Sequence, residues 1–278
     1  MSAAAPDWLG AARAATRELE AVLAAAPTTV ERARETGTRG EGGDRTLEID
    51  AAAEAAIFRR LEALHADGHR FVAVSEERGI VDFGGGPVHV VIDPLDGSRN
   101  AKRGLPHYAL SLAVADGDTM ADVRVAYVHD FGAGEEWVAE RGAGARRNGE
   151  PLDPAVRERR VRGRLELLAV ESADPRWVIG AAEHLAEAGH RLRAIGAIAV
   201  SLCQLAAGRL DGMVTLRRSR AVDVAAGQLI VREAGGHVAF TGCEDPLGAP
   251  LGTLDPVSPI VAARSPEGLA RLARIPLD

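Results

Sequence analysis

The run Asp93-Pro94-Leu95-Asp96-Gly97-Ser98 places two carboxylates, a rigid bend and a glycine within one turn. Val88 to Ile92 ahead of it is nearly continuous apolar chain, the pattern of a strand buried on both faces, and it leads directly to Asp93. Proline keeps the preceding residue extended, so Asp93 is held at the strand end. Gly97 permits a tight turn and lets backbone approach a ligand closely. A helix opening at Ser98 would aim its free N–H groups and positive dipole end at the same place. Such a turn offers acidic oxygens to a cation and amide donors to a phosphate. Read alone, the same residues also make an ordinary β-turn with a helix cap, because Asp, Pro, Gly and Ser are all turn formers.

Other acids could join this turn. Glu76 and Glu77 follow the short strand Phe71 to Val74; a solvated charged loop is the plain alternative. Asp50 opens a helix after Ile49, where an acid complements the helix dipole. Asp223 begins the run Val224 to Val231, an apolar helix whose small side chains suit close packing, and alone it reads as an N-cap.

The elements around these residues change style along the chain. Trp8, Leu9, Ala12, Ala15, Leu19, Val22 and Leu23 fall near helical spacing, and the helix ends near Pro27. A loop with Gly37, Gly40, Gly42 and Gly43 follows and is expected to be mobile. A second helix is expected from about Ile49 to Leu64. Residues 108–140 alternate as strands, with Gly117-Asp118 and Gly132 to Gly134 at turns, the pattern of antiparallel hairpins. Beyond a polar stretch from Pro151 to Arg164, strands (165–170, 210–216, 237–240) alternate with helices (177–188, 196–207, 223–234), as in an α/β arrangement. The expected division is therefore an α+β half with an antiparallel sheet over 1–155 and an α/β half over 156–278 that contains Asp223.

The chain has 278 residues, enough for one large domain or two closely packed halves. A net charge of -7 argues against a nucleic-acid-binding surface and leaves an anionic ligand dependent on local cations. Lys102 is the sole lysine, so the positive charge is nearly all arginine, a bias that discounts any single arginine as a signal. Cys203 and Cys243 have no framework spacing, which suits a reducing cytoplasm. Asp7, Arg13, Arg17, Glu18 and Glu20 interrupt the alanine-rich start, so it does not read as an export signal, and no stretch approaches the roughly 20 apolar residues of a membrane span. His107, His129 and His237 are scattered, with no nucleophile–base pairing among them.

Glu76, the run Asp93 to Asn100, and Val222 to Gly236 with Asp223, Ala226-Gly227 and Glu233-Ala234-Gly235-Gly236 resemble, in order and spacing, the inositol monophosphatase family, part of the lithium-sensitive, magnesium-dependent phosphatase superfamily. The resemblance runs from about Gly42 to Val238. It is nearest to the archaeal type that acts as both inositol monophosphatase and fructose-1,6-bisphosphatase, through Thr46 to Glu54, Ile195 to Ala199 and Arg220 to Gly227. It implies a layered αβαβα sandwich, commonly a homodimer, that hydrolyses the phosphate of a small metabolite. Glu76, Asp93 and the Leu95 carbonyl would hold a first Mg²⁺; Asp93, Asp96 and Asp223 a second; a weaker third would touch Glu76. Asp50 and Ser98 would orient and deprotonate the attacking water, with Glu76 beside them, while amides of Gly97 and Ser98 would bind phosphate.

The chemistry is consistent with that implication. Phosphate monoester hydrolysis needs acceleration of up to ~10²¹-fold, and paired divalent ions clamping the attacking and leaving oxygens supply much of it. Hard oxygen donors favour Mg²⁺ over zinc. The substrate side departs from the family pattern. Ser98 stands where threonine is usual, Val222 where eukaryotic members carry an aromatic residue, and Ala197 where a hydroxyl residue is common. Thr215, Leu216 and Arg217 occupy the region of an acidic inositol contact; Arg217, Arg218 or Arg220 would suit a second anionic group, although a solvated surface loop is the plainer explanation of those arginines. The substrate set stays open: a sugar bisphosphate, a sugar or cyclitol monophosphate, or a 3′-phosphonucleotide. A non-catalytic binding protein on the same fold is the alternative, opposed by the presence of both Asp50 and Ser98.

Overall fold

Alternating side-chain size decides how the first sheet is covered. Along the strand Ala109–Ala115, Ala109, Ala113 and Ala115 face one core, while Leu110, Leu112 and Val114 face another. Val123–Asp130 repeats the pattern, with Ala126 and Val128 on one side and Val125 and Tyr127 on the other. The larger side chains pack under two helices, Trp8–Ala25 and Glu48–Ala66, which add Trp8, Ala12, Ile57, Phe58 and Leu61 to that core. The alanine face receives the helices Ile198–Ala206 and Ala221–Glu233, because small side chains let helix backbones approach a sheet closely.

The computed structural model describes residues 5–41 and 45–277. Its first large sheet has seven strands in chain order, from Phe71–Ser75 to Glu150–Pro151. Gly79–Asp96 is long enough to pair twice with Phe71–Ser75: Val74 lies opposite Ile80 on one arm and opposite Val91 on the other. From that strand onward the neighbours are antiparallel, as the hairpin pattern predicts. The second sheet has six strands. Arg164–Glu171 runs parallel to both Gly189–Arg193 and Gly212–Thr215, and the far edge is closed by antiparallel Ile260–Ala263 and His237–Phe240. Its outer face, with Leu165, Leu168, Val170, Val214 and Val261, packs on Leu185 and Leu272 from helices Ala182–Ala188 and Pro266–Leu272. The layers therefore run helix, sheet, helix, sheet, helix: the αβαβα sandwich.

Several elements differ from the sequence reading. The helix expected over 177–188 is two short ones, Pro175–Gly180 and Ala182–Ala188, meeting at Ala181. Gly189–Arg193, Ile260–Ala263 and Pro266–Leu272 were not anticipated; the first is too arginine-rich to read as a strand, and its pairing with the buried Arg164–Glu171 supplies what periodicity lacks. The glycine-rich loop after the first helix contains a strand, Glu35–Arg39, paired with Arg45–Leu47; Gly42 and Gly43 lie outside the described residues. Among the described residues no helix is long and apolar enough to cross a membrane.

The two middle-layer helices touch at Gly227. A Cβ there would sit 2.6 Å from Leu202 Cδ1 and 2.8 Å from Leu202 Cβ. Gly227→Val therefore has to push the helix carrying Leu202 away. The expected loss is about 1–3 kcal/mol of stability, the usual cost of overpacking, read as a lower denaturant midpoint with unchanged slope.

Candidate active site

The acids gather where strand ends meet helix starts. Asp93 and Asp96 close the strand Gly79–Asp96, and Glu76 follows the end of Phe71–Ser75 beside it. Asp50 is the third residue of helix Glu48–Ala66, and Asp223 the third of Ala221–Glu233. Neither is an N-cap in the simple sense. Each reaches back to the amide just before its helix: Asp50 Oδ2 accepts from Leu47 N at 3.1 Å, and Asp223 Oδ2 from Arg220 N at 3.1 Å. Asp93 Oδ1 accepts from Leu95 N at 2.9 Å. Both oxygens of Asp96 take amides at the start of helix Ile198–Ala206, from Ile198 at 3.2 Å and Ala199 at 2.8 Å. Backbone amides thus fix four of the acids before any ligand arrives.

Glu76, Asp93 and Asp223 each bring an oxygen within 4.8 Å of the others. Asp50, Asp93, Asp96 and Asp223 are buried. Burial raises the pKa of Asp93 well above the ordinary carboxylate range, and Glu76, Asp96 and Asp223 push it further; for Asp96, burial comes first and Asp223 second. Glu76 is raised by burial as well, with Arg220 opposing. The Arg220 guanidinium lies among them, with Nη1 2.6 Å from Glu76 and Nη2 3.0 Å from Asp223. Burial disfavours its charge, yet Asp223 and Glu76 outweigh that and raise its pKa.

Asp50 stands slightly apart. Its Oδ1 is buried with no protein partner, and burial, followed by Glu77 and Glu76, pushes its carboxyl up to about 7. An orphaned acceptor facing other acids is the kind of group a cation or a polarised water satisfies. Crowded, oxygen-only donors of this kind fit a hard divalent cation.

Two cavities, of about 230 and 460 Å³, open on either side of the cluster and share Glu76, Asp93, Leu95, Ser98 and Arg99. Asp50 lines the smaller; Asp96, Gly97, Arg220 and Asp223 line the larger. Gly97 has φ 79, and a Cβ on it would meet the His107 carbonyl at 2.9 Å, so only glycine makes this turn without strain. Ser98 starts the short helix Ser98–Arg103 directly after it.

The substrate-side residues expected from sequence divide. Arg220 lines the larger cavity but is engaged by Glu76 and Asp223. Ala197 is buried against Gly97 and lines neither cavity. Thr215 is fully buried; its hydroxyl accepts from Ile260 N at 3.0 Å and serves the sheet. Arg217 stacks on Trp177, 4.6 Å from the ring centroid, away from both cavities. The wall is instead held by Glu171, to which the sequence assigned no role, and by Asn100, named there only within the family motif. Buried Glu171 accepts from Ile195 N at 3.0 Å, Gly196 N at 2.9 Å and Ser201 Oγ at 2.6 Å, while Asn100 Nδ2 donates to Ile195 O at 2.8 Å. An acid ending an apolar strand, as Glu171 does after Leu165 to Val170, is the signal already used for Asp93 and would have found it.

A layered fold with acids clustered between strand ends and helix starts is a site that could hold a cation, and the chain's relatives show its family. Residues 7–274 match the inositol monophosphatase family. The chain is 35% identical over 233 residues to a fructose-1,6-bisphosphatase/inositol-1-monophosphatase of Thermococcus kodakarensis, covering 84% of this chain and 83% of that protein. It is 34% identical over 203 residues to Nus factor SuhB of Escherichia coli K12, covering 72% and 73%. A Pyrococcus horikoshii structure, described as having similarities for inositol-1 monophosphatase, superposes with TM-score 0.76 at 28% identity over 96% of this chain and 97% of that one. The chain belongs to the inositol monophosphatase family and is a phosphoric monoester hydrolase by class.

Glu54 lies one turn beyond Asp50 on the same helix. Ser75 Oγ donates to its Oε2 at 2.8 Å, its Oε1 is unpartnered, and burial pushes its carboxyl up to about 7. The folded state therefore holds this proton between roughly pH 4.5 and 7 while the unfolded chain releases it, so stability falls as pH rises through that window. Glu54→Gln should remove this component. With chelator present, the variant is expected to melt higher than the parent at pH 8, with the difference shrinking towards pH 4.5. A pH-independent difference would contradict the assignment.

Proposed function

We propose that this chain is a magnesium-dependent phosphatase of a small phosphorylated metabolite, with a sugar bisphosphate or a sugar or cyclitol monophosphate as the substrate class. The observation that carries the reading is the convergence of Glu76, Asp93 and Asp223 in a cavity beside the Gly97–Ser98 turn. Glu76, Asp93 and the Leu95 carbonyl, with Asp96 and Asp223, are the groups that would hold two to three Mg²⁺. Ions held there would supply Lewis-acid polarisation of the phosphoryl group and a lower pKa for bound water.

The chain's own residues account for the rest. Gly97 and Ser98 present amides at the start of a helix, the arrangement that receives phosphate oxygens. Asp50, with its free oxygen, is placed to take a proton from water, and Ser98 lines the same small cavity. Glu171 and Asn100 hold Ile195 and Gly196 as the wall against which the substrate's carbon skeleton would rest. Names of relatives that include fructose-1,6-bisphosphatase and inositol-1-monophosphatase support the substrate class. A small phosphorylated substrate is the partner this reading requires; nucleic acid and membrane play no part in it. A cytoplasmic homodimer completes the reading.

Phosphate release should be screened over inositol monophosphate, fructose-1,6-bisphosphate, sugar monophosphates and 3′-phosphonucleotides. Release is expected with Mg²⁺ and should stop on adding EDTA. Asp93→Asn should abolish it, and Asp50→Asn should slow it by about 10²–10⁴-fold, the range for losing a general base. No phosphate from any of these compounds at saturating Mg²⁺ would overturn the reading.

A further inference from the structure

Arg220 is the residue the proposed chemistry leaves over. It precedes helix Ala221–Glu233 and sends its side chain into the carboxylate cluster. Nη1 donates to Glu76 Oε1 at 2.6 Å, Nη2 to Asp223 Oδ1 at 3.0 Å, and Nε to Asp223 Oδ2 at 3.4 Å. One guanidinium therefore ties together two of the three acids whose oxygens converge within 4.8 Å. Both oxygens of Asp223 and one of Glu76 are engaged in this way, and these two acids are among those a divalent cation would need.

A guanidinium and a divalent cation placed at the same two carboxylates compete for them. Like charges only a few Å apart repel strongly where burial has removed the water that would screen them, and the Arg220 side chain is only 20% exposed. In the metal-free protein, however, a positive group among these acids offsets their repulsion. The backbone holds separately: Arg220 N donates to Asp223 Oδ2 at 3.1 Å, so the side chain can leave without unwinding the helix start. The larger cavity, which Arg220 already lines, gives it somewhere to go.

We propose that Arg220 is a built-in counter-cation that holds the metal-free carboxylate cluster together and is displaced from Glu76 and Asp223 when a divalent cation binds. Metal binding is then an exchange of one cation for another. The inference rests on the metal-dependent reading above and adds a competitor to it. The opposite role would be a fixed partner that orients Glu76 and Asp223 for the metal. The two roles predict opposite effects of removing the side chain.

The test is calorimetric titration of MgCl₂ into the metal-free full chain and into Arg220→Met, with melting temperatures at zero and saturating Mg²⁺. Arg220→Met is expected to bind Mg²⁺ about tenfold or more tightly than the parent, within the usual span of coupling between two sites. It should melt below the parent without metal, and the gap should close at saturating Mg²⁺. Arg220→Lys keeps the charge but loses the fork; it should tighten binding less, and it serves if Arg220→Met does not fold. Arg99→Met removes a nearby charge that lines both cavities; it should change affinity by no more than about twofold, as a partly screened cation would. Equal or weaker Mg²⁺ binding by the Arg220 variants, a melting gap that persists with Mg²⁺, or equal tightening by Arg99→Met would overturn the exchange alone. Absence of Mg²⁺ binding in every chain, parent included, would overturn the metal-dependent reading with it.

Discussion

Asp93 and Asp96 are buried close to Glu76 and Asp223, so their carboxylates lose hydration and repel one another at once. Burial and mutual repulsion together raise their pKa values, so the charged form of the cluster is favoured only with positive charge beside it. The cluster needs positive charge, and much of the surrounding structure is arranged to receive it. Strand ends deliver Glu76, Asp93 and Asp96, and helix starts deliver Asp50 and Asp223. Helix N-termini are also electropositive, so Asp50, Asp96 and Asp223 each rest against an end that partly offsets their charge.

The same need explains the middle layer. Asp96 can reach the amides of Ile198 and Ala199, and Asp223 can meet Glu76, only if two helices lie close against the first sheet. Alanines on the sheet and Gly227 between the helices make that close approach possible. What looks like low-information alanine in the sequence is the spacing that sets the site.

Local geometry was legible where chemistry and local structure agree. The apolar run into Asp93-Pro94 marked a buried strand ending in an acid, and Gly97 marked the turn that only glycine makes against the His107 carbonyl. Alternation in 108–140 revealed the hairpins, and strand–helix alternation revealed the style of the second half. The convergence of Glu76 and Asp223 on Asp93 was not local information; the family resemblance supplied it. The substrate wall was less legible. Thr215 and Ala197 face packed interior, and Arg217 prefers the Trp177 ring, because small or aromatic neighbours brought in by tertiary packing decide where those side chains go. Glu171, which organises the wall, acts through amides of residues more than twenty positions away.

The proposed chemistry requires divalent cations at these carboxylates. The direct measurement is anomalous scattering from crystals grown with Mn²⁺ in place of Mg²⁺ and with inorganic phosphate. Manganese peaks are expected at Asp93 and among Glu76, Asp96 and Asp223, with phosphate at the Gly97–Ser98 amides. Manganese absent from these carboxylates, in crystals of protein that releases phosphate from a substrate, would contradict that chemistry.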